Sequence, residues 1–152
     1  MNRLRTQLFL FCTTVLPTAA VAQGISGTWT YREKLEGVMS TADFVLLQQG
    51  TRVFGTWEES QGRRWAGCLT GQLKGNSVVI SLCHSSETTQ STTAQTCPAY
   101  SNPEDKLVLS GDRLAWHRLN TSSGKWEPYL TLTRGIAPKR LSVPLECGKL
   151  AP

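Results

Sequence analysis

Trp65-Ala66-Gly67-Cys68-Leu69-Thr70-Gly71-Gln72-Leu73-Lys74 and Ser77-Val78-Val79-Ile80-Ser81-Leu82-Cys83, joined by Gly75-Asn76, decide how this chain folds. Trp65, Leu69 and Leu73 recur on one side of the first run, and Val78, Ile80 and Leu82 on one side of the second. A period of two marks strands that bury one face. A two-residue link containing glycine marks a tight hairpin. Counting outward from that turn sets Leu73 opposite Val78, Gly71 opposite Ile80 and Leu69 opposite Leu82. On the other face Cys68 opposes Cys83.

The same pattern extends in both directions. Segments 41–48 and 52–59 flank Gly50-Thr51, which sets Phe44 opposite Trp57 and Leu46 opposite Gly55. Segments 106–109 and 113–120 flank Gly111-Asp112, and 126–134 follows a turn containing Gly124. A further strand is expected at 29–33, followed by a polar, flexible stretch at 34–39. Turn signals recur about every eight to twelve residues, and no helical period is sustained. The expected fold is all-β: a small up-and-down antiparallel barrel of about eight strands, closed so that no edge stays open. A two-sheet sandwich is the alternative, and consecutive hairpins favour closure. Gly55, Gly67 and Gly71 fall on the inner face, where a tightly curved sheet needs room.

Residues 1–22 read as an export signal. Arg3 and Arg5 precede an apolar run at 8–16, and Ala20-Val21-Ala22 supplies a small-x-small cleavage site before Gln23. The run is shorter than the about 20 residues of a membrane-spanning helix, so the protein is expected to be periplasmic or secreted and not to span a membrane. The chain divides into a signal at 1–22, a barrel domain at 23–134 and a tail at 135–152.

Of five cysteines, Cys12 leaves with the signal, while Cys68, Cys83, Cys97 and Cys147 remain. An even number in an exported chain implies disulfides. Cys68 with Cys83 and Cys97 with Cys147 is one pairing. Cys83 with Cys97 and Cys68 with Cys147 is preferred, since each bond then fastens a segment without regular structure: the long polar loop at 84–105 or the tail. No C-x-x-C spacing is present, and His84 and His117 are not at finger-like intervals, so no metal site is expected.

Gly24-Ile25-Ser26-Gly27-Thr28-Trp29 resembles the opening Gly-x-Trp strand of the calycin-type barrels, the lipocalins and avidins. Gly55-Thr56-Trp57-Glu58 is similar to the third-strand pattern of avidins, and Trp116 with 120–126 loosely resembles their late tryptophan-bearing hairpin. The resemblance implies an eight-stranded barrel. The positions that hold biotin in avidins correspond here to Tyr31, Leu35, Trp57 and Glu59, so what carries over is an architecture, not a ligand.

The net charge is +5, and Arg3 and Arg5 leave with the signal, so the mature excess is mild. Basic residues stand beside aromatics at Arg63-Arg64-Trp65, Trp116-His117-Arg118 and Lys125-Trp126. Period-two alternation reads those charges as the solvated face, and nucleic acid is not an expected partner. Catalytic signals are thin. Ser122-Ser123-Gly124-Lys125 lies in a turn rather than at a helix start. Glu58 and Glu59 are strand neighbours pointing to opposite faces, and His117 stands alone. No enzyme activity and no cofactor are expected.

The five tryptophans are the most informative feature left. Trp29, Tyr31, Trp57, Trp65, Trp116 and Trp126 are the candidate ligand-binding residues. Trp116 is placed inward with Leu114, and Trp126 with Leu130 and Leu132. These rings either plug the barrel or line a ligand pocket. The expected function is an exported binding protein that docks onto or inhibits another envelope or extracellular protein through its loops. Because the chain is basic, that partner is expected to be neutral or acidic. The alternative is a carrier of a small hydrophobic ligand inside a tryptophan-lined barrel.

Overall fold

A computed structural model describes residues 24–85, 95–136 and Cys147. The expected signal at 1–22, the middle of the polar loop at 86–94 and nearly all of the tail lie outside the described residues. Eight strands run in chain order: β1 (Gly27–Leu35), β2 (Val38–Gln49), β3 (Arg52–Gln61), β4 (Arg64–Lys74), β5 (Ser77–His84), β6 (Asp105–Ser110), β7 (Arg113–Asn120) and β8 (Lys125–Arg134). Each pairs antiparallel with the next, and β8 returns to β1, closing an up-and-down barrel. Among the described residues no helix is long and apolar enough to cross a membrane.

The registers follow from the hairpin turns. Leu73 faces Val78, Gly71 faces Ile80 and Leu69 faces Leu82 across β4–β5, while Phe44 faces Trp57 and Leu46 faces Gly55 across β2–β3. The segment 34–39 departs from its expected flexible state. Lys34 pairs with Met39 and Leu35 with Val38 around a two-residue turn, Glu36-Gly37, in which both residues take positive φ (48° and 87°). Turns of that hand match the twist of the flanking strands, so a polar stretch becomes the tip of a regular hairpin.

Alternation buries Trp29, Phe44, Leu69, Ile80, Leu114 and Trp116 completely. Each such side chain contributes about 1.5–3 kcal/mol on leaving water. Trp116 and Phe44 meet edge to face at 5.1 Å. The middle of the barrel is therefore filled, as eight strands of this radius allow. Inner glycines let the strands approach: a Cβ at Gly55 would stand 1.9 Å from the Val45 carbonyl oxygen, and one at Gly67 1.9 Å from that of Cys83.

The two ends differ. At one end Trp29 donates its indole N–H to the Ile25 carbonyl at 2.9 Å, and Ile25 is itself buried. The Arg134 guanidinium lies 4.2 Å over the Trp29 ring and donates to the carbonyls of Ser26 (2.9 Å) and Gly24 (3.2 Å). This arginine seals the end and fastens the seam, where β1 and β8 pair only through Trp29–Arg134 and Thr30–Thr133. Toward the other end β5 and β6 pair only from Ser77–Val108 to Ile80–Asp105. Beyond that, the loop between them takes over, with Ser101 N–H donating to the Leu82 carbonyl and His84 N–H to that of Gln95, both at 2.8 Å.

Cys68 and Cys83 face each other on the outside of β4–β5, yet they do not bond to one another. The disulfides are Cys83–Cys97 and Cys68–Cys147, the preferred pairing. One fastens the polar loop to β5, and the other ties a tail residue to β4.

Candidate functional site

Alternation continues past the apolar core and brings polar side chains into the open end. On β3 the inner row runs Val53, Gly55, Trp57, Glu59. On β7 the residue two beyond buried Trp116 is Arg118, and on β6 the residue two before buried Leu107 is Asp105. With Trp65, Leu82, His84 and Tyr129 these groups surround a cavity of about 590 Å³, over which Gln95, Ser101 and Glu104 of the β5–β6 loop contribute a rim.

A connected network forms the floor. Glu59 and Asp105 are each only 9 % exposed. Arg118 donates to Glu59 at 2.9 Å and approaches Asp105 at 3.8 Å, while Tyr129 donates its hydroxyl to the other Glu59 oxygen. Trp116 donates its indole N–H to Asp105 at 2.6 Å. The Arg118 guanidinium lies 3.5 Å over the Tyr129 ring and 4.7 Å from the centre of Trp116. Desolvation offsets much of the attraction within such a network, so it contributes defined geometry more than stability.

Burial sets the titration behaviour. It raises the Asp105 carboxyl above its ordinary value, against the opposing pull of the Trp116 hydrogen bond and Arg118. Burial, followed by the hydrogen bond to Glu59, pushes the Tyr129 phenol up to about 12. Burial also lowers the pKa of His84. The His84 ring meets Trp57 edge-on at 5.0 Å and Trp65 at 5.8 Å, and its Nδ1 is buried without a hydrogen-bond partner among the described residues. Trp57 is held in turn by donating its indole N–H to the Cys83 carbonyl at 3.2 Å.

The candidate residues separate accordingly. Trp57 and Trp65 line the cavity. Trp116 lies beneath it, fully buried, and orients Asp105. Trp29 belongs to the sealed end, and Tyr31 packs at the edge of the core and donates to Glu33. Trp126 does not face inward with Leu130 and Leu132 as expected. A β-bulge in β8 shifts the register between Trp116 and His117, so that Trp116 faces Leu130 but His117 faces Pro128. One extra residue reverses the parity of everything before it. Trp126 therefore pairs with Leu119, and Lys106 lies 5.2 Å over its ring. Tyr129, the unpaired residue of the bulge, is the ring that joins the floor.

Arg118 is a partial correction. Its side chain is 45 % exposed, as a solvated residue should be, but it shares the inner face of β7 with Trp116 and pairs with buried Glu59. Its neighbour His117 lies on the outer face opposite Lys106. Glu58 and Glu59 do point apart, and Glu58 pairs outside with Arg64 at 2.8 Å. The cavity-lining groups that sequence reading does not single out are Glu59, His84, Asp105, Arg118 and Tyr129. Strict alternation from Trp57, Leu82, Leu107 and Trp116 finds the first four, and nothing local marks the bulge that brings in Tyr129. The sulfurs of Cys68, Cys83 and Cys97 lie within 4.8 Å of one another, but disulfides consume all three. Oxidised sulfur offers no thiolate to a metal.

No protein-family model, curated protein or solved structure matches this chain.

Proposed function

We propose that the protein is an exported binding protein, periplasmic or secreted, that takes a small molecule into the open end of its barrel. The contrast between the two ends carries this reading. One end is sealed by Arg134 over Trp29, while the other holds a cavity of about 590 Å³ walled by Trp57, Trp65 and Tyr129 and floored by a fixed polar network. Its size is in the usual range of ligand sites, and the mixture of aromatic wall with a few oriented polar groups is their usual chemistry. The ligand sits in the mouth, not in a tryptophan-lined centre, because Trp29, Phe44 and Trp116 fill the interior. Two disulfides support an oxidising compartment.

Binding is favoured over catalysis because Glu59 and Asp105, the buried acids, are each engaged by donors that hold them still. Docking onto another protein through the β5–β6 loop rests on a segment whose residues 86–94 lie outside the described residues. Native mass spectrometry of the non-reduced protein, purified from its own host, tests the proposal. The expected result is a small adduct of discrete mass that is lost in the Trp65→Ala variant. A co-purifying protein, retained by Trp65→Ala and unaccompanied by any adduct, would instead establish docking.

A further inference from the structure

We infer that the ligand of the mouth is a small organic cation with a flat apolar face. This rests on the mouth being the binding site. Among the described residues, Glu59, Glu104 and Asp105 line the cavity against one guanidinium, that of Arg118. Yet the chain as a whole has 16 Lys and Arg against 11 Asp and Glu. The mouth is thus opposite in sign to the protein around it. His84 does not redress the balance, since burial favours its neutral form; burial also raises the Asp105 carboxyl, a shift that the Trp116 hydrogen bond and Arg118 oppose. Carboxylates gathered in a cleft with low-dielectric walls focus their field on the opening and draw cations to it.

The walls already hold one flat cation. The Arg118 guanidinium is stacked 3.5 Å over Tyr129 and paired with Glu59 at 2.9 Å, the ring-plus-carboxylate arrangement that recognises guanidinium and ammonium groups. A second such arrangement is left open beside it. Trp65 supplies aromatic surface, backed by buried Trp57, and the exposed Glu104 carboxylate has neither a hydrogen bond nor an ion pair among the described residues. Asp105 stands next to it and meets Arg118 only at 3.8 Å. An incoming cation would complete the neutralisation that Arg118 begins. A carboxylated or phosphorylated ligand would face like charge, and an uncharged sugar would leave the excess unanswered.

Three tricyclic probes of nearly one shape separate charge from fit: aminoacridine, a cation at neutral pH; acridine, uncharged; and acridine carboxylate, an anion. Each is titrated into the mature, non-reduced protein, with binding read from tryptophan quenching and from the indole N–H signals of Trp57 and Trp65. Aminoacridine is expected to bind about tenfold tighter than acridine, with the carboxylate weakest, and the gap should narrow as salt is raised. Glu104→Gln changes an exposed side chain that the fold does not need. It should weaken aminoacridine about fivefold and leave acridine unchanged. Acridine or its carboxylate binding at Trp57 and Trp65 as tightly as the cation would overturn the charge inference while keeping the mouth as a site. Failure of all three probes to perturb those signals would overturn both.

Discussion

Adding one methyl group at Gly67 tests how the coiling of β3–β5 shapes the open end. Gly67 sits on the inner face of β4, between Trp57 on one side and His84 on the other. A Cβ there would stand 1.9 Å from the Cys83 carbonyl oxygen and 2.8 Å from its carbon, where ordinary contact begins at 3.4 Å. The strands would have to separate by about 1.5 Å, and a ladder hydrogen bond near 2.9 Å does not survive that stretch. β5 cannot simply yield, because Cys83 is tied to Cys97 and its carbonyl accepts the Trp57 indole N–H. Overpacking of this kind costs about 1–3 kcal/mol, and depriving a buried indole of its acceptor adds about 1–3 kcal/mol. Gly67→Ala is therefore expected to lose about 2–6 kcal/mol, a large part of a typical domain's stability. Gly55→Ala meets the Val45 carbonyl at the same 1.9 Å but breaks no indole bond. It should cost only the packing share, about 1–3 kcal/mol. Guanidinium denaturation of the non-reduced proteins measures both, and the Trp57 indole resonance should shift in Gly67→Ala alone. A Gly67→Ala protein within about 1 kcal/mol of the parent, with that resonance unmoved, would refute the account of the curvature.

Three further outcomes are expected. Replacing Cys83 and Cys97 with serine removes a cross-link between residues 14 apart, and replacing Cys68 and Cys147 one between residues 79 apart. Loop entropy gives losses of about 3 and about 4.5 kcal/mol, and a Cys68–Cys83 peptide in a non-reducing digest would contradict the topology. Tyr129 is raised from 10.0 to about 12 in the folded state, so the stability it contributes is complete below pH 10 and is lost as pH climbs through 12. Alkaline titration of phenolate absorbance should show a late step that Tyr129→Phe removes, and a Tyr129 that ionises at its ordinary value would mean its burial is wrong. Trp116→Ala should cost about 3–5 kcal/mol as a core deletion, whereas Trp126→Ala should cost about 0.5–1 kcal/mol through its contact with Lys106. Equal losses in thermal or chemical unfolding would place the bulge elsewhere.

The hairpins, their registers and the inward rows of β2 to β5 were legible because each depends only on neighbours along the chain. A two-residue turn sets the register, and the pleat then assigns every following side chain to a face. That is why Phe44 opposite Trp57 and Leu69 opposite Leu82 can be counted from Gly50-Thr51 and Gly75-Asn76 along the sequence alone. The same rule, pressed further, also reaches Glu59 and Arg118. Charged residues on a strand are usually the wet ones, so neither stands out from the sequence, and an inner row that turns polar is intelligible only once the barrel has an open end. Tertiary structure alone decided the rest. The bulge at Tyr129 reverses the faces of β8, and no local preference announces it. Closure of β1 on β8 lets Arg134 seal one end over Trp29, a contact between residues far apart in sequence. The site itself joins Glu59, Asp105, Arg118 and Tyr129 from four strands. Strand alternation is written residue by residue, but which inner rows meet, and at which end they leave a space, is fixed only when the sheet closes.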